Sequence, residues 1–127
     1  MTHWILLVED DAFSRELLCD WLETEGCGVT TATDLEGARA AIAQQPPDAI
    51  LLDVQLGAEN GLELVRWLRE NRSYAGIPVI AVTASVAPTA REMILQSGCR
   101  AIVSKPVDFR QLRAELDRWL SSAKTHL

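Results

Sequence analysis

Short apolar runs alternate along the chain with longer stretches of helical periodicity. The first run covers residues 4–8, and a second, 48–53, is entered from Pro46-Pro47 and ends in the carboxylate Asp53. Runs of this length, rich in Ile and Leu, predict buried strands. Between these two runs, apolar residues recur at helical spacing, which predicts two helices with one buried face each.

The same alternation continues to the C-terminal end. Strands are predicted over 29–32, 77–82 and 101–103 as well, and residues 57–61 are predicted as a loop with an Asn-Gly turn signal. The buried helical stripes are predicted from apolar residues at helical spacing. They contain Leu17, Leu18, Trp21 and Leu22; Leu35, Ala38, Ala41 and Ile42; Leu62, Leu64, Val65 and Leu68; and Leu112, Leu116, Trp119 and Leu120. A further helix is predicted from about Pro88 to Ser97, with Pro in its first turn.

Five strand-helix repeats predict an α/β fold. Strands that alternate with helices pair in parallel through right-handed crossovers, and strands covered by helices on both faces are continuously apolar, as these are. The chain of 127 residues fits one domain, expected to span residues 1–127 with no output domain.

Composition and charge argue against several classes of function. The net charge of −6 argues against direct nucleic-acid binding. No apolar run approaches the roughly 20 residues that cross a bilayer, and no basic leader precedes the first strand, so we expect a cytoplasmic protein without membrane contact. The three cysteines match neither a disulfide framework nor a zinc pattern and are expected to be free thiols.

Polar residues follow four of the predicted strands. An acidic triplet, Glu9 to Asp11, follows the first strand, Asp53 the third, Thr83 the fourth and Lys105 the fifth. Because the carboxyl ends of parallel strands lie at one edge of the sheet, these side chains should converge on one crevice. Clustered carboxylates repel one another unless a cation is present, and Mg²⁺ suits such a site.

A carboxylate beside a bound Mg²⁺ can attack a phosphoryl group, because the metal offsets charge in the transition state. The product is an aspartyl phosphate. Thr83 and Lys105 could then bind the phosphoryl oxygens, one by a hydrogen bond and one by charge.

These motifs resemble the receiver domain of two-component response regulators. The resemblance rests on Leu-Val-Glu-Asp-Asp at 7–11, on Asp53 with Gly61 eight residues later, on Val-Thr-Ala at 82–84 and on Lys-Pro at 105–106. It covers essentially the whole chain. It implies a flavodoxin-like (βα)5 three-layer sandwich with sheet order 2-1-3-4-5.

The resemblance also implies a metal site. Asp10 and Asp53 would bind Mg²⁺ directly, the backbone carbonyl of Gln55 would be a third protein ligand, and Glu9 would act through water. Asp11 lies just past this pair and is expected to be a surface residue.

The remaining roles concern the phosphoryl group. Asp53 is similar to the phospho-acceptor, Thr83 to the switch hydroxyl and Lys105 to the phosphate-binding lysine, whose following Pro often has a cis bond in this family. Gln55 and Ser85, each two residues beyond a site residue, could control the access of hydrolytic water.

The chain departs from the family pattern at two positions. Gly57 stands where the family usually has Pro, so that loop is expected to be more mobile. Ile102 stands where Tyr or Phe is common, which leaves no aromatic ring to swing inward behind Thr83.

The implied function is phosphorelay signalling. A histidine kinase or histidine phosphotransfer protein would phosphorylate Asp53, docking near Asp11, Ser14, Leu17 and Pro106, and the signal would pass to a protein effector. A weak dimer through the fourth helix, fifth strand and fifth helix is a further expectation. The chain would be no enzyme beyond its own phosphorylation and dephosphorylation.

Four other interpretations stay open at this point. The chain could be a receiver domain excised from a hybrid histidine kinase or larger regulator, or a receiver-like scaffold that binds partners without phosphorylation. A small phosphatase working through an aspartyl phosphate would typically carry an acid two residues after the nucleophile, where this chain has Gln55. A flavin or nucleotide site lacks a glycine-rich fingerprint after the first strand.

Overall fold

The structure, a computed structural model, describes residues 2–84 and 87–124, with side chains as far as residue 120. Ser85, which the sequence places near the access route of water, lies outside the described residues.

Five strands form a parallel sheet, and five helices connect and cover them. In chain order the elements are β1 (Trp4–Val8), α1 (Ala12–Thr24), β2 (Gly28–Ala32), α2 (Leu35–Gln44), β3 (Ala49–Asp53), β4 (Gln55–Leu56), β5 (Glu59–Asn60), α3 (Leu62–Glu70), β6 (Val79–Thr83), α4 (Pro88–Gln96), β7 (Ala101–Ser104) and α5 (Phe109–Lys124). The sheet order is β2-β1-β3-β6-β7. This is the predicted 2-1-3-4-5 order, so the flavodoxin-like prediction is confirmed.

Each central strand contributes side chains to two hydrophobic cores, because its side chains alternate between the two faces of the sheet. In β3, Ile50 and Leu52 pack with α2, α3 and α4, whereas Ala49 and Leu51 pack with α1 and α5. All four side chains are completely buried. A strand that must be apolar on both faces appears in the sequence as the unbroken run that marks it.

The predicted loop at residues 57–61 contains a short antiparallel hairpin instead. Strands β4 and β5 pair Gln55 with Asn60 and Leu56 with Glu59. Gly57 begins the two-residue turn between them at φ +59°, a conformation that favours glycine and that proline cannot adopt. The departure from the family's proline therefore fits the turn that is formed here.

Two predicted faces are wrong in detail. Leu17 is 47% exposed, because α1 turns only Leu18 and Leu22 fully toward the sheet. The spacing of Arg66, Arg69 and Arg72 on a charged helix flank predicts a solvated face. The Arg69 guanidinium instead donates to the carbonyls of Ala75, Ile77 and Gly98 at 2.7–3.0 Å. Arg69 therefore joins the end of α3 to the segments before β6 and after α4.

Candidate phosphorylation site

The strand register brings the predicted site residues together. Val8 of β1 lies opposite Leu52 of β3, so Glu9 and Asp53, one position further along, end neighbouring strands at the same edge. On the other side, Asp53 lies opposite Val82. Thr83 lies opposite Ser104, and Lys105 follows, its amide donating to the Thr83 carbonyl at 2.9 Å.

An ion-paired group occupies this edge. Lys105 Nζ lies 2.8 Å from Glu9 Oε1 and 3.4 Å from Asp53 Oδ2. The Glu9 side chain is 1% exposed and that of Asp53 is 11% exposed, so both carboxylates are withdrawn from most of the solvent that would screen their charge. The second oxygen of Glu9 accepts a hydrogen bond from the Asp11 amide at 3.2 Å, which fixes its orientation.

The pKa values of this pair follow from burial and neighbouring charge. Burial raises the pKa of Glu9, and the adjacent Asp53 raises it further against the opposing effect of Lys105. Burial lowers the pKa of Lys105, but its hydrogen bond to Glu9 and the charges of Asp53 and Glu9 outweigh that effect, so its pKa is raised. The lysine therefore stays charged, and the carboxylates are held close together at an energetic cost.

The acidic residues fit a metal ion. Glu9, Asp10 and Asp53 each offer a carboxylate oxygen, and these oxygens lie within 4.8 Å of one another. Lys105 supplies one ammonium against three carboxylates, which leaves negative charge uncompensated in the group. Hard oxygen donors with excess negative charge are what Mg²⁺ prefers.

Thr83 and the open face of the site complete the arrangement. Thr83 is 5% exposed at the end of β6, beneath a cleft of about 340 Å³. The residues that line this cleft come from four of the strand ends and the hairpin: Asp10, Asp53, Gln55, Gly57, Thr83, Ala84 and Lys105. The Lys105–Pro106 peptide bond is cis. The volume of the cleft exceeds that of a phosphoryl group, and the Asp53 side chain is part of its lining.

The loop after Asp53 is fixed by tight backbone contacts. The Gln55 amide donates to Asp53 Oδ1 at 3.1 Å, and the Gly61 amide donates to the Val54 carbonyl at 2.6 Å. A Cβ at Gly61 would lie 2.6 Å from the Asp53 carbonyl oxygen, so only glycine allows this close approach. The spacing of Asp53 and Gly61 in the sequence thus has a steric cause.

Asp11 and Arg15, at the start of α1, contact the acidic residues of the site. Asp11 is exposed, as expected, and is the N-cap of α1, accepting from the Ser14 amide at 2.9 Å. Arg15 Nη1 donates to the carbonyls of Glu9 and Asp10 at 3.1 and 3.3 Å. This contact of Arg15 could not be predicted from the sequence, because a charged residue on the first turns of a helix carries no signal of it.

An apolar groove lies beside the site, between α1 and the segment after β7. It has a volume of about 250 Å³, and its lining includes Phe13, Leu17, Pro106 and Phe109, together with Lys105. Phe13 is 75% exposed. Phe13 was not singled out in the sequence, although a Phe two residues after the acidic triplet and outside the helical stripe is a usable signal of an exposed ring.

Similar proteins place this geometry in a family. The family model for the response regulator receiver domain matches residues 5–117. The chain is 36% identical over 124 residues to the polar-differentiation response regulators DivK of Brucella ovis and Brucella abortus, covering 97% of this chain and 100% of each relative.

Solved structures agree with this match. The receiver domain of a sensor histidine kinase from Pseudomonas aeruginosa, which has a magnesium ion coordinated in its active site cleft, superposes with a TM-score of 0.87 at 31% identity, covering 95% of this chain and 99% of that one. The signal receiver domain of a signal transduction histidine kinase from Syntrophus aciditrophicus gives a TM-score of 0.90 at 28% identity, covering 99% and 96%. The chain therefore belongs to the response regulator receiver domain family of bacterial two-component signalling.

Proposed function

We propose that the chain is a phosphorelay receiver, phosphorylated on Asp53 by a histidine kinase or histidine phosphotransfer protein in a reaction that requires Mg²⁺. The observation that carries the proposal is the position of Asp53. Its carboxylate lies at the floor of an open cleft, 3.4 Å from Lys105 Nζ and within 4.8 Å of oxygens of Glu9 and Asp10.

In the proposed reaction an Asp53 oxygen attacks the phosphorus of the donor. A P–O bond to Asp53 forms while the P–N bond to the donor histidine breaks, and the leaving imidazole keeps the electron pair. A carboxylate oxygen carries no proton to lose when it attacks, so this step needs no general base.

The other side chains hold the reactants. Asp10, Asp53 and the Gln55 carbonyl would hold Mg²⁺, with Glu9 acting through water; when bound, the ion offsets charge on the phosphoryl oxygens. Lys105 can exchange its contact with Asp53 for one with a phosphoryl oxygen. Thr83 ends β6, the strand paired with β7, and its hydroxyl can donate to a second phosphoryl oxygen.

The donor is proposed to bind in the apolar groove beside the site. Phe13 and Leu17 are exposed apolar side chains on α1, and the groove continues to Lys105, so a partner seated there can present its phosphohistidine to Asp53. An exposed apolar patch rimmed by polar residues is typical of an interaction site. Ser14 and Pro106 line the same groove, and Asp11, which accepts a hydrogen bond from the Ser14 amide, completes the proposed docking face.

The signal is proposed to leave through protein contacts. Phosphorylation adds about −1.5 to −2 charges at the strand ends, and α4 and β7 adjoin them. Met93 on α4 is 60% exposed, and a weak dimer through α4, β7 and α5 is one contact of this kind. Sedimentation of the phosphorylated chain over a range of concentrations would measure it.

The proposal also covers the domain organisation of the chain, the reactions that it catalyses and its location in the cell. Residues 1–127 act as one receiver domain, and the chain catalyses only its own phosphorylation and dephosphorylation. A cytoplasmic location is supported by the free thiols of Cys19, Cys27 and Cys99, because disulfides are rare in reducing compartments. None of the described helices is long and apolar enough to cross a membrane.

The test is the intact mass of the chain after incubation with acetyl phosphate and Mg²⁺. We expect one phosphoryl group on the wild type, and none on Asp53→Asn or in the presence of a chelator. Asp48→Asn is the matched control, because Asp48 accepts from the Trp4 amide at the opposite edge of the sheet. An unmodified wild type would contradict the proposal and favour a scaffold that binds partners without phosphorylation.

A further inference from the structure

The β4–β5 hairpin is held to the rest of the domain at two points. Leu56 is 3% exposed and packs in the core between the sheet and α2, α3 and α4. On the paired strand, Glu59 Oε1 accepts a hydrogen bond from the amide of Leu35 at 3.1 Å. Leu35 is the first residue of α2, so a carboxylate of the hairpin contacts the N-terminus of a helix 24 residues earlier in the chain.

This contact is favourable for two reasons. The amides of the first helical turn have no partner within the helix, and the N-terminus carries partial positive charge that attracts a carboxylate. The N-cap residue Asp34 already accepts from the Gly37 amide at 2.7 Å. Glu59 therefore takes a different donor, and the two carboxylates share the capping of α2.

The hairpin also reaches the acidic cluster formed by Glu9, Asp10 and Asp53. Leu56 pairs with Glu59, and Gln55 pairs with Asn60. Gln55 in turn donates its amide to Asp53 Oδ1 at 3.1 Å. At the turn, a Cβ on Gly57 would lie 3.7 Å from Asp10 Oδ2. One short element thus connects the N-terminus of α2 with two of the acids of the site.

We propose that Glu59 is a positioning residue: by capping α2 it holds the β4–β5 hairpin, and with it the Gln55 carbonyl, against the Asp10–Asp53 cluster. This inference rests on the proposed Mg²⁺-dependent phosphorylation of Asp53. It assigns a role to a side chain that touches neither the metal nor the phosphoryl group.

The test compares Glu59→Ala and Glu59→Gln with Glu36→Ala. Glu36 is an exposed acid in the first turn of α2, so its removal changes the net charge equally and leaves the Leu35 contact intact. In metal-free protein, we expect Glu59→Ala to speed amide hydrogen exchange at both Leu35 and Gln55. We also expect its Mg²⁺ dissociation constant, measured by calorimetry, to rise about fivefold, the lower end of coupling between sites.

Glu59→Gln keeps an oxygen acceptor and should recover part of both effects, whereas Glu36→Ala should show neither. Because coupling is reciprocal, Mg²⁺ should slow exchange at Leu35 in the wild type and much less in Glu59→Ala. A Glu59→Ala chain with a lower Tm, but with the Mg²⁺ affinity and Gln55 exchange of Glu36→Ala, would overturn the proposal, since Glu59 would then only cap the helix.

Failure of the proposed function gives a different result. A wild type that binds no Mg²⁺ and accepts no phosphoryl group would overturn that function, and with it the metal-related half of this inference. The exchange rates of Leu35 and Gln55 in the metal-free chain would still decide the structural half. Faster exchange at both amides in Glu59→Ala supports the anchoring, and unchanged exchange at Gln55 overturns it.

Discussion

The ammonium of Lys105 lies 2.8 Å from a carboxylate that is 1% exposed, that of Glu9. The pair joins the end of β7 to the end of β1, 96 residues apart in the chain. Two strands, β3 and β6, lie between them in the sheet, and Asp53 ends β3. Charges withdrawn from water in this way depend on each other, because neither is fully solvated if the other is removed.

Replacing the lysine should therefore destabilise the metal-free protein. We expect Lys105→Met to lower the free energy of unfolding by about 2–3 kcal/mol, somewhat less than for a fully buried pair, because the Lys105 side chain is 23% exposed. Urea unfolding at neutral pH measures this. Mg²⁺ should recover part of the loss, because the ion replaces the missing positive charge.

The matched control is Arg113→Met, which breaks an ion pair with Glu25 in which the arginine is 65% exposed. Its cost should stay below about 1 kcal/mol. Equal losses in the two variants would mean that Glu9 is not held as a buried charge.

The raised pKa of Glu9 predicts a pH dependence. The folded state holds the Glu9 proton more tightly than the unfolded state, in which the pKa has its ordinary value of 4.5. The contribution of Glu9 to the free energy of unfolding is therefore fully present below pH 4.5, and it is lost as pH rises through the raised pKa of the folded state. In metal-free buffer, the stability of Glu9→Gln relative to wild type should therefore increase as pH rises from 4.5 toward neutrality.

The measurement is the free energy of unfolding of both chains at a series of pH values. Mg²⁺ should flatten the difference, since a cation favours the ionised carboxylate. A relative stability that falls with rising pH would show that Lys105 outweighs burial and Asp53 at this position.

Gly61 predicts a steric effect. A Cβ at this position would lie 2.6 Å from the Asp53 carbonyl oxygen and 2.9 Å from that of Val54, so Gly61→Ala must displace the backbone that carries the proposed phospho-acceptor, Asp53. We expect a loss of about 1–3 kcal/mol, as for an overpacked site, and slower phosphorylation by acetyl phosphate.

Gly76→Ala is the control, because a Cβ there would meet nothing within 4 Å. Its effect should stay within about 0.5 kcal/mol. Phosphorylation of Gly61→Ala at the wild-type rate would show that the site tolerates this displacement.

The apolar groove predicts a selective kinetic defect. Phe13→Ala and Leu17→Ala remove side chains that are 75% and 47% exposed, so folding should be unaffected. For transfer from a phosphohistidine donor protein, kcat/KM should fall about tenfold, as expected when a side chain at the centre of an interface is truncated. The rate with acetyl phosphate, which needs no docking, should not change.

Met93→Ala on α4 is the control, since Met93 is 60% exposed but lies outside the groove. If Met93→Ala slowed transfer as much as Phe13→Ala did, the donor would dock on a different face.

The sequence was sufficient for the sheet and for the residues that line its edge. Asp53 could be placed because a strand buried on both faces is continuously apolar, and parallel pairing then fixes the edge at which its carboxylate lies. The β4–β5 hairpin could not be predicted, because strands of two residues have no measurable periodicity.

Arg69 and Glu59 were missed for a related reason. Their side chains are charged and lie in segments where charge normally indicates solvent. Their partners, the Gly98 carbonyl and the Leu35 amide, are backbone groups of distant segments, and a backbone group carries no sequence signal.

The contact between Arg69 and Gly98 restricts how α4 can move. Arg69 Nη2 donates to the carbonyl of Gly98 at 2.7 Å, directly after the C-terminal end of α4, whereas none of the residues that the structure describes caps the N-terminal end of the helix with its side chain. The two ends of this helix are therefore unequally tethered. A displacement that starts near Thr83 would turn α4 about Gly98. The largest movement would then occur at the N-terminal end of the helix, beside the proposed phosphorylation site.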